Sequence, residues 1–421
     1  MHKIFFKYIL LITLGFGFCE IKSQTELFKE LFSKNTDFII IPKENTNFKE
    51  YYEITIPQFV DHTNTKDKFD QRIYVGINDI HAPNILITDG YAIDYASKPA
   101  YNNELATELN ANLITVEHRF FGKSIPNNIE WNNLTVKQAA EDYHYIKSIL
   151  DPILKGKWIA SGISKGGQAA LGYKLFYPND VAAVVVYGTA IKNKQTVYTD
   201  SILFPLSKTE CGKKVNEFQL YLFKHKSDLL PLFNNYSIKN NFDYTPLSTE
   251  TVLDYLLLEY PFSFWQNGNK CEDLPDTSVS AETLFTYLIK VVPPRFFSTR
   301  QRPQLEPAFY MFYNELGYYE YNTKPFKKYL QQNNYSNNYF TPKNTSIQFN
   351  KEFQQKVNTF IQSKASDDIF FIYGEYDPWA LQTIISKNVF RVSQGSHKSK
   401  IADLNKIQKT ELYNKLKILI K

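Results

Sequence analysis

The 421-residue chain contains only three cysteines, at positions 19, 211 and 271. None has a histidine or second cysteine at metal-ligand spacing, which argues against a zinc site. Long hydrophobic runs are also missing. The longest near the start, Tyr8–Phe18, is about 11 residues, well short of the roughly 20 that a helical membrane span needs, and no later stretch is apolar enough. A concentrated basic stripe is absent too. The formal net charge is +5, and the lysines are scattered among Asn, Tyr and acidic residues, which speaks against a nucleic-acid partner. Nucleotide-binding loops fail as well: Gly122-Lys123-Ser124 has Glu117 where a P-loop needs its first glycine, and G-x-G-x-x-G occurs nowhere.

What is present is ordinary globular composition, 43% hydrophobic and 22% charged, in a chain long enough for a catalytic core with a large insertion. Residues 1–23 have the layout of an export signal: His2, Lys3 and Lys7 precede the apolar run, and a polar stretch ends at Ile21-Lys22-Ser23. Cleavage is expected near Ser23, giving an exported protein, periplasmic or extracellular, with no membrane span. Phe18 disfavours lipid attachment at Cys19. Loss of Lys3, Lys7, Lys22 and Glu20 lowers the net charge to +3. The exported chain then keeps Cys211 and Cys271, which in an oxidising compartment point to one disulfide.

Short apolar runs at Asn84–Thr88, Leu113–Glu117, Trp158–Ser161 and Val181–Tyr187 alternate with helical patterns over 100–110 and 135–150. That is the βαβ rhythm of a parallel sheet, so the fold class is α/β. From about 191 to 355 the sequence turns rich in Asn, Tyr, Phe and Lys, with helical stretches at Val252–Tyr260 and Ala281–Val292, and reads as an inserted helical cap holding both remaining cysteines. The α/β pattern then resumes with strands at Ile369–Tyr373 and Asn388–Val392 and a helix at Thr410–Ile420. The core is thus expected in two parts, 24–190 and 356–421.

The run Trp158-Ile-Ala-Ser-Gly162-Ile-Ser164-Lys-Gly166-Gly167 reads strand, sharp turn, helix, with G-x-S-x-G at the turn. This is a nucleophile elbow, and it makes Ser164 the candidate nucleophile. A serine hydroxyl needs an imidazole base, and the imidazole needs a carboxylate to fix its tautomer. In this architecture the order is Ser, acid, His. Two histidines follow Ser164, namely His225 in the cap and His397 after the last strand; His397 stands where the base belongs. The loop Gly374-Glu375-Tyr376-Asp377-Pro378-Trp379 offers two carboxylates, with Asp377 the choice and Glu375 the fallback. Oxyanion donors are expected from the Lys165 amide and from Gly90 or Tyr91 in the loop after Asn84–Thr88. Glu117-His118-Arg119 ends another strand; either Glu117 and Arg119 form a buried network, or Glu117 or Asp89 anchors a substrate ammonium group.

Together, Glu117-His-Arg-Phe-Phe-Gly122, the Gly162-Ile-Ser-Lys-Gly-Gly167 elbow, Phe176-Tyr-Pro-Asn-Asp-Val181 and Tyr373-Gly-Glu-Tyr-Asp-Pro-Trp379 resemble secreted bacterial serine peptidases of the PS-ten type. Those are similar to tripeptidyl aminopeptidases and, more distantly, to prolyl carboxypeptidase and dipeptidyl peptidase II. The resemblance covers roughly residues 80–190 and 365–400. It implies an α/β-hydrolase fold, Ser164, Asp377 and His397 as the triad, and a cap admitting only a chain end. The expected function is release of di- or tripeptides from polypeptide amino termini through an acyl-enzyme, with no metal or organic cofactor. An esterase or lipase is the alternative, since fold and elbow do not choose between amide and ester, and a catalytically silent binding protein is a third reading.

Overall fold

Three antiparallel strands lead into the sheet: β1 (Ile39–Pro42), β2 (Glu50–Asp61) and β3 (Asn64–Ile77). They belong to a stretch to which the sequence alone gave no assignment. Along β2 buried and partly exposed residues alternate almost strictly, the period of a strand with one face on the core. The computed structural model describes residues 37–191, 196–363, 366–381 and 386–421; the expected signal, residues 1–23, lies outside them.

Six further strands run parallel: β4 (Asn84–Thr88), β5 (Asn112–Val116), β6 (Trp158–Ile163), β7 (Ala183–Tyr187), β10 (Ile369–Gly374) and β11 (Val389–Val392). Between β7 and β10 lies a small parallel pair, β8 (Thr196–Tyr198) with β9 (Tyr318–Glu320). The main sheet has the order β1-β2-β3-β5-β4-β6-β7-β10-β11. Its central strands are unbroken buried apolar runs, Ala183–Tyr187 being Ala-Val-Val-Val-Tyr, because helices cover both faces.

One face is covered by α1 (Glu104–Glu108) and the C-terminal helix Lys406–Leu419, whose Leu105, Leu412 and Leu416 join Ile85, Ile159, Val185 and Ile372 in one core cluster. Over the other face pack α2 (Val136–Leu150) and α3 (Lys165–Phe176), with Tyr143 edge-on to Tyr173 at 5.7 Å. The helix expected over 100–110 is only five residues long: the Asn103 side chain accepts the Leu105 amide and starts it late, and Asn110 at φ 48° lies beyond its end. The architecture is the α/β-hydrolase one, a mostly parallel sheet between helical layers.

The segment between β7 and β10 is helical. It includes α4 (Thr199–Ser207), α5 (Glu210–Lys224), α6 (Lys226–Lys239), α7 (Thr249–Asn267), α8 (Ala281–Val291) and α9 (Arg302–Met311). α7 is buried almost all round, from Thr251 to Trp265, so it is the apolar spine on which the others pack. Cys211 at the start of α5 and Cys271 just past α7 are disulfide-bonded, with Cα atoms 5.7 Å apart. Closing a loop with a sequence separation of 60 restricts the unfolded chain by about 4 kcal/mol. Residues 37–421 form one compact unit. The helical segment is therefore joined to the sheet as one body.

Candidate active site

β6 ends at Ile163, and the chain turns so sharply into α3 that Ser164 adopts φ 56°, ψ −120°. A non-glycine residue there stores about 1–3 kcal/mol of backbone strain, and the turn lifts the hydroxyl above the carboxyl edge of the sheet. The close approach needs Gly162: a Cβ on it would meet the Gly166 carbonyl carbon at 2.3 Å. The Ser164 amide is fixed by the Tyr187 carbonyl at 2.8 Å.

Asp377 follows β10 and is fully buried. Its Oδ1 accepts the Trp379 amide at 3.0 Å and its Oδ2 lies 2.9 Å from His397 Nδ1. This leaves the other imidazole nitrogen as the one to serve a nucleophile. His397 and Ser164 line the same cavity of about 90 Å³, with Tyr91, Lys165, Gln168, Gln266 and Trp379 among its walls. Glu375, the fallback acid, does other work: its Oε2 accepts the Gln394 amide at 2.9 Å and so holds the turn that leads to His397. His225 stands away from this cavity, at the junction of α5 and α6 beside Asp228.

Lys165 is buried behind the elbow. Its Nζ donates to the Gly90 carbonyl at 2.8 Å and lies 4.9 Å from the Phe121 ring centre, tying the loop after β4 to the nucleophile turn. Burial pulls the Lys165 amine down to about 7, against the opposing pull of Asp89 and Glu315. Burial likewise pushes Asp89 up to about 6 and Glu315 up to about 7. Tyr91 lines the cavity, but its amide donates to Asp89 Oδ1 at 2.9 Å. The Gly90 amide also bonds to the Asp89 carboxylate, so an oxyanion role for either asks that bond to be shared; Gly90 sits buried directly against the elbow.

Two expectations need correction. Glu117 is not available to a ligand ammonium: it is fully buried, its Oε1 accepts from Arg72 and from the Ile93 amide, and its Oε2 accepts from Lys123 N and Ser124 Oγ. Nor is Arg119 its partner, because the Arg119 guanidinium takes both oxygens of Asp142 at 2.7 and 2.8 Å. These are two different buried ion pairs, linked by Gln71, whose Nε2 donates to the Glu117 carbonyl at 2.9 Å and to Asp142 Oδ2 at 3.5 Å. Asp89 also lies outside the cavity walls, its oxygens engaged by the Tyr91 amide and the Tyr95 hydroxyl.

Other wall residues were not singled out from sequence. Phe312 and Tyr318 come from the helical segment: Phe312 opens a single π-helical turn, Phe312–Leu316, and Tyr318 follows its end, a feature frequent at functional sites. Gly188 adjoins the acid–base pair and directly follows β7. The rule that sites form at carboxyl ends of parallel strands would have found it; for Phe312 and Tyr318 no local signal exists.

A strained serine at a strand–helix turn and a buried aspartate on a histidine that shares its cavity define a serine hydrolase of the α/β-hydrolase class. The PS-10 peptidase S37 family matches residues 24–409, and the chain belongs to that family; it is a serine peptidase. It is 24% identical over 353 residues to the prolyl tri/tetrapeptidyl aminopeptidase of Streptomyces mobaraensis, covering 82% of this chain and 72% of that protein. It is 29% identical over 183 residues to the human lysosomal Pro-X carboxypeptidase, covering 39% of this chain and 37% of that protein. Among solved structures, the proline iminopeptidase of Mycobacterium smegmatis aligns over 87% of this chain and 97% of its own, at 11% identity and TM-score 0.40.

Proposed function

We propose that the protein is an exported exopeptidase that removes short peptides, di- or tripeptides, from polypeptide amino termini through an acyl-enzyme on Ser164. His397 takes the Ser164 proton as general base and returns it to the leaving amine. Asp377 holds the imidazole tautomer and stabilises its protonated form. The Lys165 amide and the Gly90–Tyr91 loop receive the oxyanion. The observation that carries the reading is the Asp377–His397 contact of 2.9 Å beside a cavity that also holds Ser164, in a chain of this family.

The cavity is small, about 90 Å³, and its walls combine Phe312, Tyr318 and Trp379 with Gln168 and Gln266, which suits one compact residue next to the scissile bond. The resemblance to a prolyl tri/tetrapeptidyl aminopeptidase supports the amino-terminal direction. The N-terminal layout of residues 1–23 supports export.

The test is hydrolysis of free and amino-blocked di- and tripeptidyl fluorogenic amides, beside a Ser164→Ala variant. Turnover of free peptides that disappears in the variant is the expected result. Equal turnover of amino-blocked substrates would overturn the aminopeptidase direction. Cleavage of short acyl esters with no amide turnover would make the protein an esterase.

A further inference from the structure

Gln266 lies in the last turn of α7 and touches both loops of the acid–base pair. Its backbone carbonyl accepts the His397 amide at 3.3 Å, and its side-chain Oε1 accepts Trp379 Nε1 at 2.7 Å, two residues past Asp377. The neighbouring Asn267 carbonyl accepts Lys398 Nζ at 3.2 Å, so this helix end is stitched to the histidine loop at consecutive residues. Gln266 also lines the cavity that holds Ser164 and His397.

An indole nitrogen only donates, so the carboxamide atom facing Trp379 is the oxygen. That bond fixes which way round the amide sits and leaves its NH2 on the other branch. Among the described residues Nε2 has no hydrogen-bond partner in the protein, although the side chain forms part of the cavity wall. A neutral donor held in a set orientation beside a nucleophile matches a neutral acceptor. Every residue of a bound peptide offers one as its backbone carbonyl, whereas a short acyl ester has none beyond the bond being cleaved.

We propose that Gln266 is a substrate-binding residue, whose Nε2 donates a hydrogen bond to a backbone carbonyl of the peptide next to the scissile bond while Trp379 holds the amide in place. This inference rests on the peptidase reading above. It gives the helical segment a direct part in recognition: the residue that reads the peptide is the one that also braces the His397 and Trp379 loops.

The experiment compares Gln266→Glu and Gln266→Met with the wild type. It measures kcat/KM for a tripeptidyl amide and for a short acyl ester, with the rate of labelling by a small fluorophosphonate as the check on a folded site. Glutamate keeps an acceptor for Trp379 but removes the donor; methionine removes both. Both variants are expected to lower the peptide-to-ester ratio of kcat/KM by about tenfold, the scale of one hydrogen bond. A Gln266→Glu variant with the wild-type ratio, beside a Gln266→Met variant that loses it, would reduce Gln266 to a brace for Trp379 and overturn the proposal. Wild-type ratios in both would overturn it as well. Wild-type protein that cleaves the ester and no peptide would overturn the peptidase reading itself, and this inference with it, before any variant is compared.

Discussion

Gly188 stands directly against His397: a Cβ at residue 188 would lie 2.7 Å from His397 Nδ1 and 3.1 Å from Asp377 Oδ2. Its φ of 53° is a conformation that side chains disfavour. The chain after β7 thus forms the floor on which the acid–base pair rests, and only a hydrogen fits there. Gly188→Ala is expected to lower kcat/KM at least about 100-fold, the scale of a displacement near 1 Å in a catalytic group. The loss in stability should be about 2–5 kcal/mol, about 1–2 for the left-handed backbone and about 1–3 for a methyl group forced into a filled site. Steady-state kinetics beside a urea titration would check this. A variant that is destabilised yet fully active would show that the pair tolerates being pushed.

Asp377 gives one oxygen to the Trp379 amide and the other to His397. In Asp377→Asn, a carbonyl oxygen turned to Trp379 presents NH2 to Nδ1. That favours the imidazole tautomer with its proton on the side of Ser164, which cannot act as base. The expected outcome is a fall in kcat of about 10⁴-fold, with unfolding little changed. If kcat fell less than tenfold, another group would be orienting His397.

These two residues show what is readable in a sequence of this kind. Ser164 and His397 follow from a local turn motif and from the order in which functional groups succeed one another along the fold. Asp377 and Glu375 stand two residues apart in one loop, and geometry separates them: one faces the imidazole, the other caps the turn at Gln394. The parallel strands are legible because they are uninterrupted apolar runs. The β1–β3 region is not, since β2 carries Pro57, Gln58 buries a side chain within it, and β3 opens on exposed polar residues. Partners far apart in sequence, Glu117 with Arg72 and Arg119 with Asp142, leave no local trace at all. The same holds for walls supplied by the helical segment, such as Gln266 and Tyr318.

The Glu117 network gives a prediction that separates scaffold from site. Glu117→Gln removes the buried anionic partner of the Arg72 guanidinium, itself 3% exposed, and leaves it only the exposed Asp94 at 2.7 Å. Breaking a buried pair from one side costs about 3–5 kcal/mol when the charge is left unpaired; with Asp94 still on Arg72 the loss falls at or below the lower end, and a drop in the urea midpoint is expected. KM for free-amine peptides should stay within about twofold of wild type in protein that remains folded, because stability-only substitutions leave uniform binding intact. A KM that rises steeply for free but not for amino-blocked peptides would return Glu117 to the role of ammonium anchor.

Glu315 lends the fold a pH dependence whose sign follows from its burial. The carboxyl is pushed up from 4.5 to about 7 by desolvation, while the Val136 amide on Oε1 at 2.6 Å and the Lys165 ammonium pull the other way. Its proton is therefore held more tightly in the folded than in the unfolded state. Stability from this group is fully present at low pH and is lost as pH rises from about 4.5 to about 7. Glu315→Gln removes the titration and keeps an oxygen for Val136. The unfolding free energy of the variant minus that of the wild type should rise with pH across that window and level off above it. Asp89, pushed up to about 6 by burial, is present in both proteins, so its direct contribution largely cancels in the difference; Lys165 is coupled to Glu315, so the window reports the titration of that pair. Urea unfolding at closely spaced pH values measures this. A difference that does not change with pH would mean that Glu315 keeps its charge without penalty, and that the Lys165 amine and the helix amide together offset its burial.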